Sequence, residues 1–329
     1  MSARSFLAGL TALALMAGGG TATAQTAAGA APDPGVGNVS ILHLNISDMD
    51  RALAWYQGVL GMQTVRDSGG PQPTRIVAEP GAMMHTHILK TPGGEFSMEL
   101  VEVSGIPLKP QQANVQDPGA VMLAVNVKDL EATLASARRL GLTVISTNGD
   151  VVVTEARGRQ VMVRDADGFV TYLSQATEPN APSVKLDYAF IAVADLEKTV
   201  AFYNGVFGLG MAKPGNLNPT GARILGLVGN PALSQFRLTT DAAFANTQGA
   251  LRFQEFGGAP KAPVRHRVQD PGGPIMTMSV KDFAGVMARV PQFGGTIGDG
   301  ETSATLAPTA TVSWIRDPNG LLIRVARAQ

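Results

Sequence analysis

The strongest constraint on how this chain can fold is that it is written twice. Val115-Gln116-Asp117-Pro118-Gly119 returns as Val268-Gln269-Asp270-Pro271-Gly272, and at the same offset of 153 residues Pro107, Pro110, Val127, Lys128 and Asp129 become Pro260, Pro263, Val280, Lys281 and Asp282. A duplicated chain folds into similar halves, so a position that differs between the copies separates function from scaffold. The length of 329 residues exceeds what one compact core usually organises and agrees with two domains.

Composition narrows the function. The charge is balanced, 26 basic against 26 acidic residues, with no Lys/Arg-rich run carrying interleaved aromatics, which argues against a nucleic-acid partner. With no cysteine there are no disulfides, no thiolate nucleophile and no sulfur metal ligand. Met1-Ser2-Ala3-Arg4, an apolar run from Phe6 to Ala17 and the small residues Ala22-Thr23-Ala24 read as a secretory signal peptide over residues 1–24, cleaved after Ala24. The expected location is periplasmic or secreted, an uncleaved N-terminal anchor being the alternative. No later segment is apolar for long enough to cross a membrane, so no membrane contact is expected after cleavage.

Residues 25–37, rich in Ala, Gly, Pro and Thr, read as a flexible tether, and 176–183, with Pro179 and Pro182, as a linker. The expected domains are 38–175 and 184–328. Each divides again. Ile41 to Asp48, Met122 to Asp129, Tyr188 to Asp195 and Ile275 to Asp282 share one grammar, an alternating strand that ends in Asp and runs into an amphipathic helix. The Asp is placed to cap the helix N-terminus. Met49, Leu53, Tyr56 and Leu60 fall on one helical face before Gly61, and Leu196, Val200, Tyr203 and Phe207 on another before Gly208, so both tyrosines are expected in the core. Short strands follow, among them His85 to Lys90, Phe96 to Val103, Gln160 to Arg164 and Val170 to Ser174. The recurring unit is β-α-β-β-β, four times over, an α+β fold.

The segments Asp48-Met-Asp-Arg-Ala-Leu-Ala-Trp-Tyr-Gln-Gly-Val-Leu-Gly-Met62 and Asp195-Leu-Glu-Lys-Thr-Val-Ala-Phe-Tyr-Asn-Gly-Val-Phe-Gly-Leu209 resemble the opening helix of the vicinal oxygen chelate superfamily. That group includes glyoxalase I, extradiol dioxygenases, fosfomycin-resistance enzymes and bleomycin-binding proteins. The turns Arg164-Asp-Ala-Asp-Gly-Phe169 and Arg316-Asp-Pro-Asn-Gly-Leu321 resemble the one before the family's last strand. The resemblance implies that β-α-β-β-β units pair into two cup-shaped domains with the helices outside. It implies a small-molecule ligand or substrate, and lyase, isomerase or dioxygenase chemistry if the protein is an enzyme. A monomer or a homodimer is compatible, since two domains in one chain supply the pairing internally. Fold alone does not choose among these chemistries.

Strand alternation assigns the faces. Leu42, Leu44 and Ile46 are expected to meet the helices, leaving Ile41, His43 and Asn45 for the cup; Met122, Ala124 and Asn126 are the corresponding cup residues of the second unit. In metal-dependent members of the family, first strands give His and last strands give Glu. Counting back from the strand-end Asp, the His positions carry Ile41, Met122, Tyr188 and Ile275, and the Glu positions carry Glu99, Tyr172, Arg252 and Arg324. One carboxylate among eight positions does not make a site for Zn²⁺, Fe²⁺ or Mn²⁺, so no cofactor is expected at the family positions.

Two sets of residues remain. In the first domain Glu99 is expected to be a general base with its pKa raised by apolar neighbours Ile41 and Met122, paired with His43 or Tyr172, while Asn45 and Asn126 orient a polar ligand. In the second, Arg252 and Arg324 are expected to converge as a site for a carboxylate or phosphate, or else to pair with Glu255 or Asp317. The competing reading is a relocated site for Fe, Mn, Ni or Zn built from His43, His85, His87 and Glu99; it needs His85 and His87 to face the cup, and the favoured alternative leaves them at an exposed strand end binding nothing. A third reading is a binding or interaction module without catalysis, whose cups are filled by their own side chains. Arg265-His266-Arg267 is expected in a solvated loop.

Overall fold

The structure, a computed structural model, describes residues 36–77, 79–90, 97–154, 158–211, 235–238, 250–257, 261–298 and 312–328. The signal sequence, its cleavage site and most of the tether lie outside the described residues. No helix among those residues is long and apolar enough to cross a membrane.

The first unit gives β1 (Val36–Ile46), α1 (Met49–Tyr56), β2 (Gln63–Asp67), β3 (Gln72–Pro73), β4 (Met83–Lys90) and β5 (Ser97–Ser104). The second gives β6 (Val121–Val127), α2 (Leu130–Arg139), β7 (Thr143–Val144), β8 (Val152–Thr154), β9 (Gly158–Arg164) and β10 (Val170–Gln175). The third contributes β11 (Val184–Val193), α3 (Leu196–Phe207), β12 (Gln235–Leu238) and β13 (Ala250–Gly257), and the fourth β14 (Pro274–Val280), α4 (Phe283–Arg289), β15 (Thr296–Ile297), β16 (Val312–Arg316) and β17 (Leu322–Arg327). These four helices start where the Asp pattern places them. Asp48, Asp129, Asp195 and Asp282 accept hydrogen bonds from the backbone N–H of Arg51, Ala132, Lys198 and Gly285.

The strands pair differently from the order of the copies. In one sheet the order is β15-β16-β17-β14-β1-β5-β4-β2, with β3 on β4; in the other it is β12-β13-β11-β6-β10-β9-β7, with β8 on β9. The first unit therefore pairs with the fourth, through antiparallel β1 and β14, and the second with the third, through β6 and β11. Each cup draws on both copies. The expectation that 38–175 and 184–328 each close their own cup is corrected here. All four first strands carry the same alternation, so the pattern does not say which two become neighbours. The linker decides it locally: Ala176 N donates to Val127 O and Lys128 N to Ser183 O, carrying the chain across the end of β6 so that β11 lies on its free edge.

The duplicated Gln-Asp-Pro-Gly turns lock this exchange. Asp270 Oδ1 accepts from Lys109 N of the first copy at 2.8 Å, and Asp117 Oδ1 accepts from Ala262 N of the second at 2.9 Å. Gln111 N donates to Pro271 O and Val264 N to Pro118 O, both at 2.8 Å. His266 and Arg267, expected in solvent, are drawn into this clasp: His266 is buried, and Arg267 bonds Asp270 and Glu79.

The main core lies between the two sheets. Leu42 and Leu44 of β1, Leu123 and Val125 of β6, Ile191 of β11 and Met278 of β14 pack there with Trp55, Tyr56, Leu134, Tyr203 and Val286 from the helices. The alternation read from β1 and β6 is thus the alternation found. Helix α1 belongs to a unit of the first sheet, yet Trp55 Nε1 donates to Thr171 Oγ1 in β10 of the second at 3.2 Å.

Both core tyrosines also anchor a closing turn. Tyr56 Oη donates to Asp165 Oδ2 at 3.1 Å and Tyr203 Oη to Asp317 Oδ2 at 3.4 Å. Burial, reinforced by the charge of Asp167, pushes the Asp165 carboxyl up to about 7. An acid whose pKa is raised by folding binds extra protons in the folded state. Its contribution to stability is complete below its ordinary value of 3.8 and is lost as pH rises through about 7. Asp165→Asn keeps the oxygen that accepts from Asp167 N and Phe169 N but cannot ionise. Denaturant titrations at pH 5 and pH 8 are expected to show the variant gaining roughly 2–4 kcal/mol on the parent at the higher pH. A pH dependence identical in both proteins would refute the assignment.

Candidate functional site

The concave face of the first sheet holds an open cavity of about 480 Å³. Apolar walls come from Val101, Val103, Val268, Ile275 and Trp314, and the polar groups on its lining include His43, Asn45, Arg66, Thr86, Glu99 and Arg324. The centre is set by strand register. His43 in β1 is the parallel partner of Glu99 in β5, and Thr277 in β14 is the parallel partner of Arg324 in β17. His43 and Thr277 each stand five residues before a strand-end Asp, so the pair on one side of the β1–β14 seam is the pseudo-symmetric counterpart of the pair on the other.

Across that seam the side chains form a chain of contacts. His43 Nδ1 lies 2.6 Å from Glu99 Oε2, and His43 Nε2 lies 2.7 Å from Thr277 Oγ1. Burial works to raise the Glu99 pKa, but the His43 hydrogen bond and charge, the charge of Arg324 and the Thr86 hydroxyl outweigh it and hold the carboxyl below its usual range. The expected raised general base is therefore corrected. Glu99 is an ionised acceptor for His43 Nδ1–H, and in the neutral ring this places the free lone pair on Nε2, against the Thr277 hydroxyl.

Asn45 is buried in the same cup. Its Nδ2 donates to Val268 O at 2.9 Å and Asp270 O at 3.3 Å, while its Oδ1 has no partner among the described residues. Arg324 is half-buried and makes no ion pair among the described residues; its charge is felt by Glu99. Ile41 of β1 pairs with Thr277 of β14 but is not part of the cavity lining, where its counterpart Ile275 is.

The other expected residues lie on the second sheet. Its concave face is filled by Met122, Met162, Tyr172, Phe190 and Phe256. Tyr172 is bonded to Gln160 rather than to Glu99, and Asn126 to Asp187 and Ser174. Arg252 stacks on the Tyr188 ring, its guanidinium carbon 3.9 Å from the centroid, and so does not converge with Arg324. Glu255 caps α3 at Leu196 N, and Asp317 organises its own turn. Met122, Tyr172, Asn126 and Arg252 leave the Glu99 site because each cup joins units from different copies.

The relocated metal cluster also separates. On β4, Met84 and Thr86 line the cavity, so His85 and His87 point through the opposite face, where both meet Asp67. His43 and Glu99 do not share a site with them. The family's metal positions in these two units carry Ile41, Ile275, Glu99 and Arg324, of which the last three line the cup. A guanidinium, two alkyl groups and a carboxylate already engaged by His43 do not fit a divalent ion. Thr277, Thr86, Arg66 and Trp314 were not singled out by sequence; the only signal for Thr277 was its place five residues before Asp282, meaningful once β14 is known to border β1.

No curated protein matches the chain by sequence. Glyoxalase I from Zea mays is similar in structure, with a TM-score of 0.56 at 14% identity over 88% of this chain and 92% of the maize chain. A putative dioxygenase from Bacillus subtilis aligns with a TM-score of 0.48 at 11% identity, over 89% and 85% of the two chains. The family model described as the Glyoxalase/Bleomycin resistance protein/Dioxygenase superfamily matches residues 38–171 and 185–325, one segment for each copy. With both copies matched and the paired β-α-β-β-β units in place, the chain belongs to the Glyoxalase/Bleomycin resistance protein/Dioxygenase superfamily.

Proposed function

We propose that the protein is an exported member of this superfamily that binds a small organic anion in the cup of the first sheet and transfers protons with His43. The observation that carries this reading is His43 held between Glu99 and Thr277 in an open cavity beside Arg324. A carboxylate orienting one imidazole nitrogen and leaving the other basic is the arrangement of a general base. Glu99 positions the ring, His43 Nε2 takes the proton, and Thr277 holds that nitrogen until a substrate displaces its hydroxyl. Arg324 supplies the charge for a substrate carboxylate, and the unpartnered Asn45 Oδ1 accepts from a ligand donor. The cavity volume lies within the ordinary range for small-molecule sites, roughly 300–1,000 Å³. The second cup, filled by its own side chains, serves as scaffold.

A panel of small oxo- and hydroxycarboxylic acids, screened by thermal shift and by proton exchange into D₂O next to the carbonyl, tests the reading. Binding is expected to weaken about tenfold or more in Arg324→Ala. Exchange is expected to fall roughly 10²-fold or more in His43→Ala while binding persists. Ligand binding that is indifferent to Arg324, or exchange that survives loss of His43, would sink it. Export rests on residues 1–24 and is tested by cell fractionation with N-terminal sequencing, which should begin at Gln25.

A further inference from the structure

We infer that Asp67, His85 and His87 form a binding site for a transition-metal ion on the face of the first sheet opposite the cup, an inference independent of the proposed chemistry of His43. His85 and His87 stand two apart on β4 and so share a face, and β2 sets Asp67 directly across from His87 in the antiparallel register. Three ligand atoms converge. His85 Nε2 and His87 Nε2 are 3.1 Å apart, and Asp67 Oδ1 lies 3.3 Å from the first and 3.2 Å from the second. Atoms held at about 2.1 Å from one ion are separated by roughly 3.0 Å in octahedral and 3.4 Å in tetrahedral geometry, so the triangle already has the size of a coordination face.

The outer contacts support a ligand role. Each imidazole turns Nε2 inward and leaves Nδ1 for a neighbour: His85 Nδ1 faces Glu102 Oε2 at 3.8 Å, and His87 Nδ1 faces Thr64 Oγ1 at 3.4 Å. A metal-binding histidine characteristically uses its second nitrogen in this way, which fixes the ring and the tautomer. Asp67 is held as well, since Gly69 N donates to the same Oδ1 at 2.8 Å. The rings meet at 66° with centroids 4.9 Å apart, so edges converge instead of stacking.

The donor set selects the metal class. Two imidazole nitrogens and one carboxylate favour Zn²⁺, Ni²⁺, Co²⁺ or Cu²⁺ over Mg²⁺ and Ca²⁺, which prefer oxygen alone. Asp67 is 42% exposed and the histidine side chains 17% and 11%, so the cluster opens to solvent on the aspartate side. Asp67, at the end of β2, also borders the cavity, whereas His85 and His87 do not line it.

The test is titration of chelator-treated full-length protein with Co²⁺, followed by the visible absorption of the bound ion, with Zn²⁺ as competitor. One equivalent is expected to bind. Affinity should fall about tenfold or more in His85→Ala, His87→Ala or Asp67→Asn, and by about tenfold in Glu102→Gln. His43→Ala and Glu99→Gln should bind as the parent does. Paramagnetic broadening by Co²⁺ in the unaltered protein supplies a readout that needs no variant, and the imidazole signals of His85 and His87 should broaden first. Failure to bind one equivalent, unchanged affinity in the His85→Ala/His87→Ala double variant, or loss of binding in His43→Ala would overturn the assignment.

Discussion

Replacing Gly272 by alanine is expected to destabilise the protein by roughly 4 kcal/mol, a large effect for one methyl group. Gly272 has φ +82°, a conformation that costs an L-residue about 1–2 kcal/mol. The added Cβ would also lie 2.1 Å from Gln111 O and 2.7 Å from Asp167 O, both backbone atoms. These cannot swing away as a side chain could. The clasp between the copies would have to open, and with it the bonds from Gly272 N to Asn45 O and from Asn45 N to Gly273 O. Gly141 provides the control, having φ +78° with nothing within 4 Å of a built Cβ. Gly141→Ala should cost only about 1–2 kcal/mol. Equal denaturation midpoints for the two variants would refute the close-approach argument, and displacement of Asn45 predicts weakened ligand binding in Gly272→Ala alone.

Asp270→Ala is expected to cost about 3–5 kcal/mol for a different reason. Asp270 is buried and accepts four hydrogen bonds, from Lys109 N and Arg267 Nη2 on Oδ1 and from Arg267 N and Nε on Oδ2. Burial acts to raise its pKa, but Arg267 and the backbone donors prevail and lower it. Its stabilisation is accordingly present above its ordinary carboxyl pKa of 3.8 and lost as pH falls through the lowered value. Removing the carboxylate takes from Arg267, which is 13% exposed, its shorter ion pair and leaves the longer one with Glu79. The matching Asp117 accepts from Asn114 N, Asn114 Nδ2 and Ala262 N and is bonded to no guanidinium among the described residues. Asp117→Ala should therefore cost less, about 1–3 kcal/mol. Comparable losses in urea titrations of the two variants would contradict the role given to Arg267.

Much of this molecule is legible in its sequence, because local rules reach it. The four strand-end aspartates cap the helices as their spacing implied, and Gly208 ends α3 at φ +68°. Leu42, Leu44 and Ile46 turn inward while His43 and Asn45 turn to the cup. Alternation alone puts His43 and Glu99 on strands of one cup, where they meet at 2.6 Å. The lowered Glu99 pKa is not legible in the sequence, because the opposing charges of His43 and Arg324 reach it only through strand pairing. Parity put His85 and His87 on one face without saying which, and the neighbours that show the answer, Met84 and Thr86 in the cavity wall, are themselves placed by β4 pairing with β5.

The sequence by itself determined the four β-α-β-β-β units, their caps, their inward faces and the inequivalence of the copies, since each of these follows from period, turn chemistry and a few residues of local contact. Only the tertiary structure decided which units share a cup. It set Arg324 and Thr277 beside Glu99 and His43, sent Tyr172 and Arg252 to a filled cup, and brought Asp67 to His85 and His87. The four first strands offer nearly equivalent edges; the linker seats β11 on β6, and the pairing of β1 with β14 goes with contacts between residues more than 150 positions apart, such as Asp270 with Lys109, which no local pattern records.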